Sequence, residues 1–390
     1  MLKKTDLKVW LLIVLATAIF VAMVVKVFPE KGSSYKISPE DTKYVLETMG
    51  KCYRDGSSAC YREAGKNLFE QFNVASVLDI FEQNEQRSEV FSRCHEVTHY
   101  LGRFEFQRVK SISEAFQNVS EVCHGGGYHG VMEGYFEYLN IPLDDIPTLS
   151  IKVAEACGKP SDYDRTTVYS ECVHGIGHAM MFISEGGLVQ SLALCDALPL
   201  PQNQAACYGG VFMENSSSST NFDHPSKYLK EEDPLYPCDI LGERYLSSCY
   251  SYQSSHFARL SDLDWEKVAE LCRLVPEKYR LGCFRIIGSN QVGSTQDMGK
   301  RKSNCDLIVE ERYRQECFRG VIGSLVGRYH RDFLSIAAFC ELLATENKED
   351  CYGYLGSSML GWLPQGEGLL ELCQSIKEEE YVAICSRAAI

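Results

Sequence analysis

Between Asp264 and Gly288 the apolar residues recur with the period of a helix. Val268, Leu271, Cys272 and Val275 stand at i, i+3, i+4 and i+7, which is one face of an α-helix. Pro276 ends that helix or begins the next. Glu277 to Gly288 then carries a second helical segment with Cys283 near its start. Further towards the N-terminus, Ser38-Pro39-Glu40-Asp41 reads as a helix start, with Pro at the first helical position. One stretch departs from the amphipathic pattern. Val9 to Val25 is 17 residues without a charge, flanked by Lys8 and Lys26, whose stems extend the usable apolar length. Trp10 and Phe28 stand where interfacial aromatics belong. The run continues past Ala16-Thr17-Ala18, which favours an uncleaved anchor over a cleaved signal peptide. Lysines precede and follow the span, so charge leaves its orientation open.

The cysteines write a repeat on this pattern. From Cys157 onward they fall into pairs: Cys157 and Cys172, Cys195 and Cys207, Cys238 and Cys249, Cys272 and Cys283, Cys305 and Cys317, Cys340 and Cys351, Cys373 and Cys385. Separations within pairs are 15, 12, 11, 11, 12, 11 and 12, and the first member recurs every 38, 43, 34, 33, 35 and 33 residues. That period is the one of helix–turn–helix solenoids. An aromatic usually follows the second Cys (Tyr208, Tyr250, Phe284, Phe318, Tyr352), and small residues come next. Gly inside a helix costs about 1 kcal/mol, so its recurrence predicts close helix packing.

A Cys near the end of one helix faces a Cys near the start of the next. Bridging the two closes a loop of about a dozen residues, worth roughly 3 kcal/mol in the chain-entropy model. The competing reading is buried free thiols, which the near-constant spacing disfavours. Cys-x2-Cys spacing of the zinc type is absent. Disulfides need an oxidising compartment, so the sequence predicts a cell-membrane protein of single-pass topology, with its N-terminus cytoplasmic and the bulk of the chain extracytoplasmic. Cys52, Cys60, Cys94 and Cys123 allow three connectivities, of which Cys52–Cys60 and Cys94–Cys123 join neighbours.

The expected organisation is a cytoplasmic tail (1–8), a transmembrane anchor (9–28), a linker (29–37), a His-rich helical part (38–185) and disulfide-stapled helical repeats (186–390). The 390 residues carry 39 Lys+Arg against 53 Asp+Glu, a net charge of -14, which argues against a nucleic-acid partner. The membrane, through the N-terminal helix, and a protein or peptide on the solenoid surface are the expected partners. From Cys157 to Ile390 the chain resembles Sel1-like and TPR-like αα-repeat proteins, and especially the disulfide-stapled secreted members of the Sel1 group. The resemblance implies an all-α solenoid outside the cytoplasm with a binding surface.

Chemistry concentrates in the histidines. Of nine, six are His95, His99, His124, His129, His174 and His178. They form i, i+4 pairs in successive units: His95/His99, His129/Glu133 and His174/His178. Such pairs share one helix face and chelate metals. The matching slot of the next unit, Tyr208-Gly209-Gly210-Val211-Phe212-Met213, holds glycine. Random placement of nine His gives about 0.2 pairs at this spacing, against two present. Helices of neighbouring repeats lie roughly 10 Å apart, so the pairs are placed to meet at one or two divalent metals, zinc ahead of iron or manganese. The competing reading is histidines that pack or cap helix ends, on a non-catalytic interaction scaffold.

His95-Glu96-Val97-Thr98-His99 also satisfies the His-Glu-x-x-His pattern, and the string runs on to Gly102 and Glu105. It is similar to the metzincin zinc-peptidase motif, with Glu in the last place. That resemblance implies His95 and His99 as ligands, Glu96 as the base that takes a proton from metal-bound water, and Glu105 as a third ligand. A metal-dependent hydrolase is therefore a second expectation. Nucleophilic catalysis is not supported: the paired cysteines leave no free thiolate, and Gly125-Gly126-Gly127 lacks the Lys and Ser/Thr of a phosphate-binding loop.

Overall fold

Several of the helices begin at a Ser, Asn or Asp whose side chain accepts a backbone N–H of the first turn. A computed structural model describes residues 37–217 and 226–387, whose regular elements are all helices, without strands. Lys43 to Ile390 forms one compact unit. The first helices are α1 (Pro39–Asp55), α2 (Ser58–Gln71), α3 (Val74–Gln83), α4 (Ser88–Phe91), α5 (Cys94–Val109), α6 (Ile112–Phe116) and α7 (Gly126–Leu139). Then come α8 (Ile146–Glu155), α9 (Thr166–Ile183), α10 (Leu188–Cys195), α11 (Pro201–Ser217), α12 (Glu243–Leu260), α13 (Trp265–Leu274) and α14 (Glu277–Ser294). The last are α15 (Met298–Asp306), α16 (Glu311–Tyr329), α17 (Phe333–Glu341), α18 (Thr345–Leu360), α19 (Leu369–Cys373) and α20 (Glu379–Ser386).

At the start of α1, Ser38 Oγ accepts from Asp41 N–H and Asp41 returns a bond to Ser38 N–H, the reciprocal cap expected from the sequence. In the repeats Asp264, Asp297 and Asp332 cap α13, α15 and α17 by a single bond, each accepting the N–H three residues on. Each such cap contributes about 1 kcal/mol. Pro276 occupies the N-cap position of α14, directly after Val275 at the C-cap of α13.

The long helices α5, α7, α9, α11, α12, α14, α16, α18 and α20 stack in chain order, and the short ones flank them. All 18 cysteines are bridged. Besides the seven predicted repeat staples, Cys52 pairs with Cys60 and Cys94 with Cys123, and no thiol is free. The aromatics after the second Cys are packing residues. Tyr250 stacks on Tyr279, Phe284 on Tyr313 and Tyr352 on Tyr381, each pair joining one long helix to the next.

The array curls until distant repeats touch. Arg328 pairs with Glu85 and donates to His124 Nε2 at 2.6 Å. Glu121 is buried and faces His330 at 3.1 Å, Arg331 at 3.2 Å and Arg165 at 3.7 Å. Thr167 N–H donates to Gly361 C=O, and Gln365 N–H to Asp164 C=O, both at 3.0 Å. This polar clasp ties segments more than 200 residues apart. The anchor expected at 9–28 lies outside the described residues. Among the described residues no helix is long and apolar enough to cross a membrane.

Candidate metal centre

Glycine decides where the histidines meet. A Cβ on Gly102 would lie 2.2 Å from Gly127 O, and one on Gly130 would lie 2.0 Å from His99 O, so the backbones of α5 and α7 are in contact. Gly177 and Gly210 play the same part for α9 and α11, at 2.1 Å from Cys207 O and 2.1 Å from His174 O. Between the two helix pairs, α9 packs on α7. Side chains on the shared face therefore converge. Ligating nitrogens of His95, His99 and His129 lie within 4.8 Å of one another, and so do those of His129, His174 and His178. His129 belongs to both groups.

Each outer histidine has its tautomer set by its Nδ1 partner. His95 Nδ1 lies 2.8 Å from Cys123 O, and His174 Nδ1 lies 3.2 Å from Ala206 O. A carbonyl only accepts, so these Nδ1 atoms donate and Nε2 keeps its lone pair. His99 Nδ1 meets Glu133 at 2.7 Å and His178 Nδ1 meets Glu214 at 2.9 Å, with the same consequence. The Nε2 atoms then face each other, His95 against His99 at 3.1 Å and His174 against His178 at 3.2 Å. Two lone pairs at that distance repel unless a cation lies between them. Nitrogens 3.1 Å apart, each about 2.0–2.1 Å from a shared ion, subtend roughly 100° at it, close to the tetrahedral angle.

A proton is the competing cation, and the electrostatics separate the two pairs. Burial pulls His99 down, but the Glu133 carboxylate outweighs it and leaves the pKa raised. Burial and then His99 pull His95 down to about 3. At the second pair, burial holds His174 and His178 at about 3, helped in each case by a neighbouring imidazole. Both rings of that pair are neutral at pH 7, so a shared proton does not relieve their contact. His129 is pushed well down by burial and by four surrounding imidazoles. Neutral imidazoles with exposed lone pairs are the state a metal requires.

The carboxylates complete the surroundings. Burial would raise Glu133, but His99 and Arg103 bring it down, with Arg103 Nε 3.5 Å from its Oε2. Glu171 Oε2 lies 3.5 Å from His129 Nε2, and its pKa is pushed up to about 7 by burial and by Glu121. Glu171 and Glu214 keep 25% and 29% of their side-chain surface exposed, so the cluster is open to solvent along one edge.

All five predicted histidines are thus brought together, with Glu133 joined through His99. Glu96 is not among the grouped ligands. Its charge acts on the Tyr61 hydroxyl of α2, which burial already raises. Glu105 does not join the histidines: it is buried, accepting from Arg108 Nε at 3.0 Å and from Asn118 Nδ2 at 2.7 Å. Other histidines hold structure. His256 meets Lys230 O at 3.1 Å, and His330 stacks on Trp362 at 4.5 Å. Sequence reasoning missed Glu214, Glu171 and Arg103. Glu214 gave no slot signal, since Gly209 and Met213 hold the places of His129 and Glu133 in that unit and Glu214 stands one residue beyond. Compared with protein-family models, curated proteins and solved structures, the chain matches none.

Proposed function

We propose that this is an extracytoplasmic metalloprotein whose histidine cluster holds a divalent transition metal. The nine disulfides support the oxidising compartment, and the segment 9–28 would tether the unit to the membrane with its N-terminus inside. One observation carries the metal reading: the facing Nε2 atoms of His174 and His178, 3.2 Å apart, both with Nδ1 as the donor. The donor set is imidazole with carboxylate support and no thiolate, which suits zinc and its neighbours. The solenoid likeness to Sel1-type repeats rests on architecture, and the metal reading does not need it.

A hydrolytic role is the second reading. Each triad offers three nitrogens and leaves positions free for water and substrate, as catalytic zinc sites do, and the site has an open edge at Glu171. Glu96 or Glu171 would serve as base. The test is metal content by mass spectrometry on the full chain with its disulfides intact, beside a His95→Ala/His174→Ala double variant. Stoichiometric metal in the wild type that is lost in the variant is the expected result. Metal-free wild type of native helicity would leave a scaffold with structural histidines. Glu96→Gln and Glu171→Gln then distinguish the two bases in ester and peptide hydrolysis assays.

A further inference from the structure

The four outer histidines can each serve only one ion, because each has its Nδ1 engaged by a carbonyl or a carboxylate. His129 differs. It is 2% exposed, and neither Nδ1 nor Nε2 has a hydrogen-bond partner among the described residues. An unsatisfied buried polar group costs about 1–3 kcal/mol, and this ring carries two. Its place is central. It stacks on His178 at 4.1 Å and lies 5.5, 5.3 and 5.3 Å from His95, His99 and His174. The two ligand groups have no other member in common.

We infer that the centre holds two metal ions joined by the imidazole of His129, one ion chelated by His95 and His99 and the other by His174 and His178. This rests on the metal-binding reading above. Bridging requires both ring nitrogens of His129 as donors. Its N–H bond breaks, bonds from Nδ1 and Nε2 to the two metals form, and the proton passes to solvent. No electron is transferred. The bridge would satisfy both orphaned nitrogens at once, which a single ion in either triad would not. Glu133, Glu171 and Glu214 lie around the pair and offset its positive charge.

Cu(II) is the probe, because imidazole sites bind it tightly and a bridged pair couples magnetically. The full, disulfide-intact chain is stripped of metal, loaded with Cu(II) and examined by mass spectrometry and by electron paramagnetic resonance near liquid-helium temperature. The expected result is two Cu per chain, with a signal integrating to far fewer than two spins. In His129→Gln the Cu that remains should give the full signal of isolated ions. One Cu per chain, or two with the signal of isolated ions in the wild type, would overturn the bridge and leave metal binding standing. No bound Cu would overturn both. The wild-type spectrum decides the matter even if the variant does not fold.

Discussion

At His178 a single carboxylate has two effects. Glu214 holds Nδ1–H at 2.9 Å, which orients the ring and makes Nε2 the better donor. Outer partners of this kind are worth about 10–100-fold in metal affinity. Glu214→Gln should therefore weaken metal binding by about that factor while the fold persists, measured by competition against a chelator of known affinity. Glu105→Gln is the contrasting variant. Its partners are Arg108 and Asn118, so it should lower the melting temperature and leave metal affinity unchanged. A loss of affinity at Glu105 as large as at Glu214 would restore the peptidase-like ligand set that the motif around His95 suggested. At this scale the sequence was partly legible. The i, i+4 spacing announced which histidines share a helix face, but the carboxylates that orient them come from other helices.

Between elements, glycine does the positioning. A Cβ on Gly210 would press on the His174 carbonyl at 2.1 Å, against backbone that cannot rotate away. Gly210→Ala should force α9 and α11 apart, destabilise by about 1–3 kcal/mol and lower metal affinity, because His178 would be drawn away from Glu214. Gly293 in α14 is the control, since a Cβ there meets nothing within 4 Å. Gly293→Ala should be neutral or stabilising by up to about 1 kcal/mol. Thermal melts and metal titration on both variants check the pair, and equal effects would remove the close-packing argument. Recurring glycine was visible in the sequence as a packing signal. Which carbonyl each glycine faces was not, because that depends on helix crossing.

Across the whole molecule, the clasp at Glu121 joins the early helices to the late repeats. Glu121 is buried. Burial would raise its carboxyl, but the contact with His330 and the charge of Arg165 outweigh it and bring the pKa from 4.5 to about 2. A depressed carboxyl contributes stability that is complete above pH 4.5 and is lost as pH falls towards 2. Glu121→Gln should cost about 3 kcal/mol at neutral pH and flatten the loss of stability between pH 4.5 and 2. Denaturant melts across that range test it. Parallel wild-type and variant curves would mean that the clasp carries no net stability. Nothing in the sequence placed Arg328 beside Glu85 and His124, since 243 and 204 residues separate them.

Local order was the part determined by sequence alone. Helices, caps, staples and chelating pairs each rest on spacings of a few residues up to one repeat, and physical rules at that range act on neighbours in the chain. Even Cys52–Cys60 and Cys94–Cys123, left with three connectivities by counting, form between neighbours. Tertiary structure alone decided that two separate histidine pairs close around His129, that Glu171 and Glu214 enter their surroundings, and that the curled array shuts on Glu121. Those outcomes depend on the crossing of each helix pair and on curvature summed over many repeats. Small geometric steps accumulate along a solenoid, and no single stretch of sequence records their total.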